Sequence, residues 1–269
     1  MRVGGDFADV NGTRLYTEVA GADDAPAIVF VHGFSLDTRM WDGQFAAFAE
    51  RYRVVRYDLR GFGRSAVPEA GVPYRHDEDL CALLDLLGID RVAIAGLSLG
   101  GAVALTVALR QPERVAALVL ASSVLPGFET PQFDAMTRPV WKAGRADGVE
   151  AARALWFSCP IFEVSNEREP VRDALRTIVD DYSGWSWVDR DPGAWAEPDC
   201  VGSLDRISAP TLVVVGERDI DDMRRTADAL AVGISGARKV VLPGVGHLPN
   251  MEDVGAFNEV VLDFLPLSS

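Results

Sequence analysis

Short blocks of consecutive apolar residues alternate along this chain with longer segments in which apolar positions recur every three or four residues. The blocks are "AIVFV" at Ala27 to Val31, "RVVRYDLRG", "VAIA" after Arg91, "VAALVLASS", "PTLVVVGERD" and "RKVVLPGVGH". A run without polar interruption suits a strand buried on both faces, as in a parallel sheet. The intervening segments predict helices over about Thr38 to Arg51, through "RHDEDLCALLDLLGID", after Ser98, near Asp221 to Val232 and near Asp253 to Leu265. In the second of these, Leu80, Leu83, Leu84 and Leu87 share a face and Gly88 ends the helix. At the start, Asn11-Gly12 lies between two alternating stretches of "DFADVNGTRLYTEVAG", a strong hairpin signal.

Strand and helix in alternation, joined by short connections, predict an α/β fold with a mostly parallel sheet flanked by helices. Residues 125–205 break the rhythm. They contain Trp141, Trp156, Trp185, Trp187 and Trp195, five of the six tryptophans, and no valine-rich strand. The expected organisation is therefore a core of residues 1–124 and 206–269, with residues 125–205 as a helical cap. With 269 residues, 48% of them hydrophobic, the chain has ample material for a sizeable core.

Forty acidic against twenty-six basic residues give a net charge of -14. Such a field disfavours phosphate backbones and anionic lipid, so neither nucleic acid nor membrane is an expected partner. Cys81, Cys159 and Cys200 have neither a disulfide-framework pattern nor metal-ligand spacing, and no metal or cofactor is expected. The segment "MRVGGDFADV" lacks the apolar stretch of a signal peptide, and no apolar run is long enough to span a bilayer. The expected location is cytoplasmic.

The candidate chemistry begins at "GLSLGG", where Ser98 stands between Gly96 and Gly100 directly after the "VAIA" strand. A serine on a sharp strand-to-helix turn needs residues two before and two after it with almost no side chain. A helix starting there also aims its N-terminus at negative charge developing on a substrate. A neutral hydroxyl still needs a base, usually histidine. Of three histidines, His76 opens an amphipathic helix and His32 precedes Gly33 at a strand end, whereas His247 sits in a glycine-rich loop after the last strand. His247 is the candidate base, and His32 is read as holding its own loop. The base needs a carboxylate to fix its tautomer. Asp219 leads, with Glu217 as its competitor; Asp221 and Asp222 are better placed as N-terminal charges of the next helix. Two backbone N–H groups, from Leu99 after the serine and Phe34 in "VHGF", are the expected oxyanion donors.

Together "HGF", "YDLRGFGRS", "GLSLGG", "GERD" and "GVGH" resemble the α/β-hydrolase fold family, in that family's order of nucleophile, acid and histidine. The resemblance covers nearly the whole chain. Within the family, "HGFSLDTRMWDGQ" and "GVEAARALWFSC" are similar to serine esterases and lactonases of the 3-oxoadipate enol-lactonase type. Ser98 departs from the relatives with an aspartate nucleophile, the haloalkane dehalogenases and most epoxide hydrolases. The resemblance implies an ester or lactone hydrolase, with Phe34, Trp156 and Phe157 as substrate-binding residues and Asp58, Arg60 and Arg64 as scaffold. Leu155 stands where the lactonases have an arginine ahead of Trp156 and Phe157, which points to a neutral, apolar or aromatic substrate unless Arg153 substitutes. Alternative readings are a C–C bond hydrolase of the meta-cleavage type, a serine perhydrolase or haloperoxidase-like enzyme, and a non-catalytic receptor or scaffold.

Overall fold

The computed structural model describes residues 5–194 and 199–265. Eight strands form one sheet: β1 (Gly5–Val10), β2 (Thr13–Ala20), β3 (Ala27–Val31), β4 (Arg53–Tyr57), β5 (Val92–Leu97), β6 (Val115–Ala121), β7 (Thr211–Gly216) and β8 (Arg238–Leu242). Their order is β1-β2-β4-β3-β5-β6-β7-β8. β1 and β2 are the expected hairpin, with Asn11 and Gly12 both at positive φ, as a two-residue turn matched to strand twist requires. β2 runs antiparallel to β4, and every later pairing is parallel. Most of the apolar blocks are interior strands, and β5 and β7 are buried at every position. The last block differs, because β8 is an edge strand with only Leu242 buried.

The helices of the sheet layers are α1 (Asp42–Phe48), α2 (His76–Leu86) and α3 (Leu99–Arg110). Between β6 and β7 come α4 (Pro131–Asp147), α5 (Val149–Phe157), α6 (Glu163–Glu167), α7 (Glu169–Asp181) and α8 (Trp185–Val188). After β7 the chain forms α9 (Asp221–Gly233), α10 (Pro249–Glu252) and α11 (Val254–Phe264). The helix expected over Thr38 to Arg51 is divided: Thr38–Trp41 is a 3-10 turn and only Asp42–Phe48 is α-helical. Asp37 accepts the Arg39 N–H and tightens that first turn. The terminal helix is preceded by the short α10, started by Pro249.

The chain reverses its direction of growth across the sheet after β4, so β3 lies between β4 and β5. In open α/β sheets the crevice beyond the carboxyl ends of strands at such a reversal is where ligands bind. Register brings those ends level, since Val31 pairs with Gly96, Ala121 with Val214, and Gly216 with Leu242. The loops carrying Phe34, Ser98, Asp219 and His247 therefore leave one edge of the sheet together. The helical segment between β6 and β7 docks there through aromatic side chains. Phe34 is the hub, with its ring centroid 5.4 Å from Trp141, 5.4 Å from Trp156 and 5.9 Å from Tyr182. Trp187 is fully buried in the same cluster, while Trp185 reaches back to donate to the Gly61 carbonyl at 2.7 Å. Trp195 lies outside the described residues.

Candidate active site

Ser98 follows β5 directly, with φ 52° and ψ -111°, a conformation that costs an L-residue about 1–3 kcal/mol and persists only where surroundings enforce it. The flanking glycines allow the turn. A Cβ on Gly96 would lie 2.2 Å from the Gly100 carbonyl oxygen, and one on Gly100 would lie 2.1 Å from that of Val31. Any side chain at either position would force helix and strand apart. Leu99 is the first residue of α3, so its N–H is among the first-turn donors that have no partner within the helix.

The loop after β3 is held from several sides. His32 is fully buried; its Nδ1–H donates to the Gly33 carbonyl at 2.8 Å, and its Nε2 accepts the Leu59 N–H at 2.8 Å. That network assigns the tautomer, and burial pushes the imidazole pKa down, keeping it neutral. Ser35, at φ 62°, accepts the Trp156 indole N–H at 2.6 Å. Phe34 thus sits between a fixed histidine and a hydroxyl tied to α5.

Asp219 and His247 meet across two loops. The imidazole Nδ1 is 3.2 Å from both carboxylate oxygens, and both residues are buried. The other candidate acids are engaged elsewhere. Glu217 accepts the Gly244 N–H at 2.8 Å on the exposed side of the loop, and Asp221 pairs with Arg224. Asp222 is in the first turn of α9 as expected, where its Oδ1 pairs with Arg225, but its Oδ2 reaches out to another helix. It accepts the N–H groups of Gln132 (2.7 Å) and Phe133 (2.9 Å) and so caps α4.

Ser98, His247 and Phe34 line one cavity, walled by Leu36, Phe133, Trp156, Ile161 and Phe162. It has no lysine or arginine in its lining and leaves a water-sized sphere about 20 Å³ for its centre, room for one or two waters. Phe157 is not in that wall; its ring lies under Arg176 at 4.3 Å. Arg153 is likewise turned away, donating to the carbonyls of Val179 (3.2 Å) and Tyr182 (2.8 Å) and pairing with Glu150. Phe133, Ile161, Phe162 and Glu252 are the residues that sequence reasoning passed over. Glu252 accepts backbone N–H groups on both sides of His247, from Gly246 and, at 3.3 Å, from Leu248. A glutamate five residues after the histidine was the one available signal.

The family model described as alpha/beta hydrolase fold matches residues 26–254. The chain belongs to that family. The hydrolase is 30% identical over 255 residues to 3-oxoadipate enol-lactonase 1 of Acinetobacter baylyi, covering 94% of each chain. Among solved structures it is similar to the enol-lactonase from Burkholderia xenovorans LB400, with TM-score 0.84, 29% identity, and 96% and 99% of the two chains covered. It is also similar to a thermophilic esterase from Thermogutta terrifontis with malate bound, with TM-score 0.80, 27% identity and 97% of each chain covered. The hydrolase has no helix, among the described residues, long and apolar enough to cross a membrane. No group of three His, Cys, Asp or Glu side chains among those residues is placed to hold a metal ion. Cys81, Cys159 and Cys200 are free and buried, and burial pushes the Cys81 and Cys159 thiols up to about 11.

Proposed function

We propose that this hydrolase cleaves a small, neutral carboxylic ester or lactone through an acyl-enzyme on Ser98. The observation that carries the reading is the buried Asp219–His247 pair opening on the same cation-free apolar cavity as Ser98. Ser98 Oγ attacks the carbonyl carbon while His247 Nε2 takes the hydroxyl proton, and Asp219 holds Nδ1–H and stabilises the imidazolium. The N–H groups of Leu99 and Phe34 receive the oxyanion, with the α3 N-terminus adding favourable potential. Collapse of the tetrahedral intermediate expels the alkoxide, which takes the proton from His247; a lactone keeps that alcohol on the acyl chain. Water then attacks the acyl-enzyme with His247 again as base, releasing the acid and free Ser98.

Phe34, Trp156, Phe133 and Phe162 offer apolar and aromatic surface to the substrate. The cavity is too small for an ester as it stands, so the helical segment acts as a cap that yields to admit one. A panel of neutral esters and lactones of graded size, with vinylogous diketones beside them, tests the reading. Turnover of neutral esters or lactones is expected. Turnover confined to the diketones would replace ester cleavage by C–C bond cleavage, and labelling of no serine by a fluorophosphonate would remove the mechanism.

A further inference from the structure

His247 sits in a loop between β8 and α10, where no ladder of strand or helix hydrogen bonds fixes it. What holds that loop comes in part from the helical segment. Ser165, fully buried in α6, donates its hydroxyl to Glu252 Oε1 at 2.5 Å. The same carboxylate accepts the N–H groups of Gly246 and Leu248, the two neighbours of His247. Arg168, next after α6, donates to the carbonyls of Glu252 and, at 2.8 Å, Gly244. Val164 packs so closely that a Cβ on Gly246 would lie 2.8 Å from its own Cβ, which accounts for the second glycine of "GVGH". The loop bearing Asp219 is tied to the same helix, because Arg218 pairs with Glu167 at 2.6 Å. Immediately ahead of α6, Ile161 and Phe162 form part of the cavity wall.

We propose that Glu252 is a positioning residue for His247, and that Ser165 and Arg168 complete its seat only when the helical segment is docked on the core. The inference rests on the reading of Ser98, Asp219 and His247 as the catalytic groups. A carboxylate suits this place because both of its oxygens accept. One receives the Gly246 N–H and the other the Ser165 hydroxyl and the Leu248 N–H. An amide would turn an NH₂ toward at least one of these donors, leaving a buried N–H or O–H opposed. The imidazole would then lose its fixed backbone on one side. Misplacement by about 1 Å is enough to cost about 10²-fold in rate. The device also links access to chemistry: a segment lifted to admit substrate withdraws Ser165 and Arg168 from the base, and its return restores them.

The test compares Glu252→Gln, Ser165→Ala and the double variant with the wild-type enzyme, using a neutral nitrophenyl ester, a small fluorophosphonate and thermal unfolding. Glu252→Gln is expected to lower kcat about 10²-fold with KM within about threefold. Labelling of Ser98 should slow in parallel, because that reaction needs the base and not substrate fit. Ser165→Ala should lose about tenfold in kcat, and the double variant no more than Glu252→Gln alone, since Ser165 acts through the carboxylate. Arg168→Met should lose kcat in the same sense, with Arg168→Lys partly restoring it. Wild-type kcat in folded Glu252→Gln, or a loss in KM alone, would overturn the proposal. If Glu252→Gln does not fold, wild-type kcat and labelling in Ser165→Ala overturn it instead. A wild-type enzyme that neither turns over esters nor takes the label refutes the catalytic reading, a result distinct from either of these.

Discussion

Replacing Asp222 with alanine removes the carboxylate through which α9 of the core caps α4 of the helical segment. Asp222 is 2% exposed, and its Oδ2 accepts two N–H groups, those of Gln132 and Phe133. Its Oδ1 pairs with Arg225 at 3.0 Å, but Arg225 is half exposed and that pair is worth little. A hydrogen bond to a charged acceptor contributes about 1.5–3 kcal/mol, and water reaching the freed helix end recovers part of it. A net loss of about 3 kcal/mol follows for Asp222→Ala, above the roughly 0.5–2 kcal/mol of an ordinary helix-cap deletion because two N–H groups lose a charged acceptor. At about 2–4 °C per kcal/mol for a chain of this size, Tm should fall by about 6–12 °C. Asp222→Asn keeps one oxygen acceptor for both N–H groups and loses only the charge at a helix N-terminus, about 1 kcal/mol or about 2–4 °C. Phe133 carries one of the capped N–H groups and also lines the cavity, so Asp222→Ala should raise KM for an apolar ester more than it lowers kcat. Differential scanning calorimetry and steady-state kinetics on the two variants measure both effects. Equal Tm losses in the two variants, or a Tm within about 2 °C of wild type in Asp222→Ala, would refute the capping argument. A collapse of kcat in Asp222→Asn would mean that Asp222, not Asp219, serves the base.

Asp219→Asn should lower kcat about 10⁴-fold with little change in KM, because the amide cannot hold the imidazole in its working tautomer; a loss under tenfold in steady-state assays would point to another acid. Neutral lactones should exceed matched lactones with a carboxylate on the acyl chain by at least about tenfold in kcat/KM, or about 1.4 kcal/mol, since the cavity wall has no cation and Arg153 is committed to the carbonyls of Val179 and Tyr182. A preference for the acid form would contradict that. Stability should fall with acid partly through His76, whose burial pushes its pKa down from 6.5 to about 3. Between those values the unfolded chain binds a proton that the folded one refuses, so its contribution is present above pH 6.5 and lost as pH falls toward 3. Tm measured against pH should therefore slope less steeply below pH 6.5 in His76→Phe than in wild type, and equal slopes would remove His76 from the account.

The interior of the sheet was legible because β3, β5, β6 and β7 are apolar blocks with no polar break, the pattern of a strand buried on both faces, while the alternation around Asn11-Gly12 marked the β1–β2 hairpin. The convergence of the loops bearing Ser98, Asp219 and His247 was legible for a related reason: each loop leaves the carboxyl end of a strand, and register brings those ends level. The cavity wall was not. Trp156 and Phe157 are adjacent in sequence, but neighbours on a helix point about 100° apart. Trp156 faces Ser35 and the cavity, and Phe157 is carried round to Arg176. Phe133, Ile161 and Phe162 enter the wall through the docking of α4 and the turn before α6, which no local pattern encodes. Asp222 reads as an ordinary acid in a helical first turn, and Glu252 falls just ahead of the expected terminal helix with no pattern to single it out. Their work on α4 and on the His247 loop depends on contacts with segments 90 and 87 residues away, at Gln132 and Ser165.

The central claim is that Ser98 forms a covalent acyl intermediate. Rapid quenching of the enzyme with an activated neutral ester, followed by trypsin and mass spectrometry, tests it directly. The peptide Val92–Arg110, freed by cleavage after Arg91 and Arg110, should carry the acyl mass on Ser98 at early times and lose it as turnover ends. Ser98→Ala should show neither adduct nor turnover. An adduct on another residue, or ester hydrolysis retained by Ser98→Ala, would contradict the account.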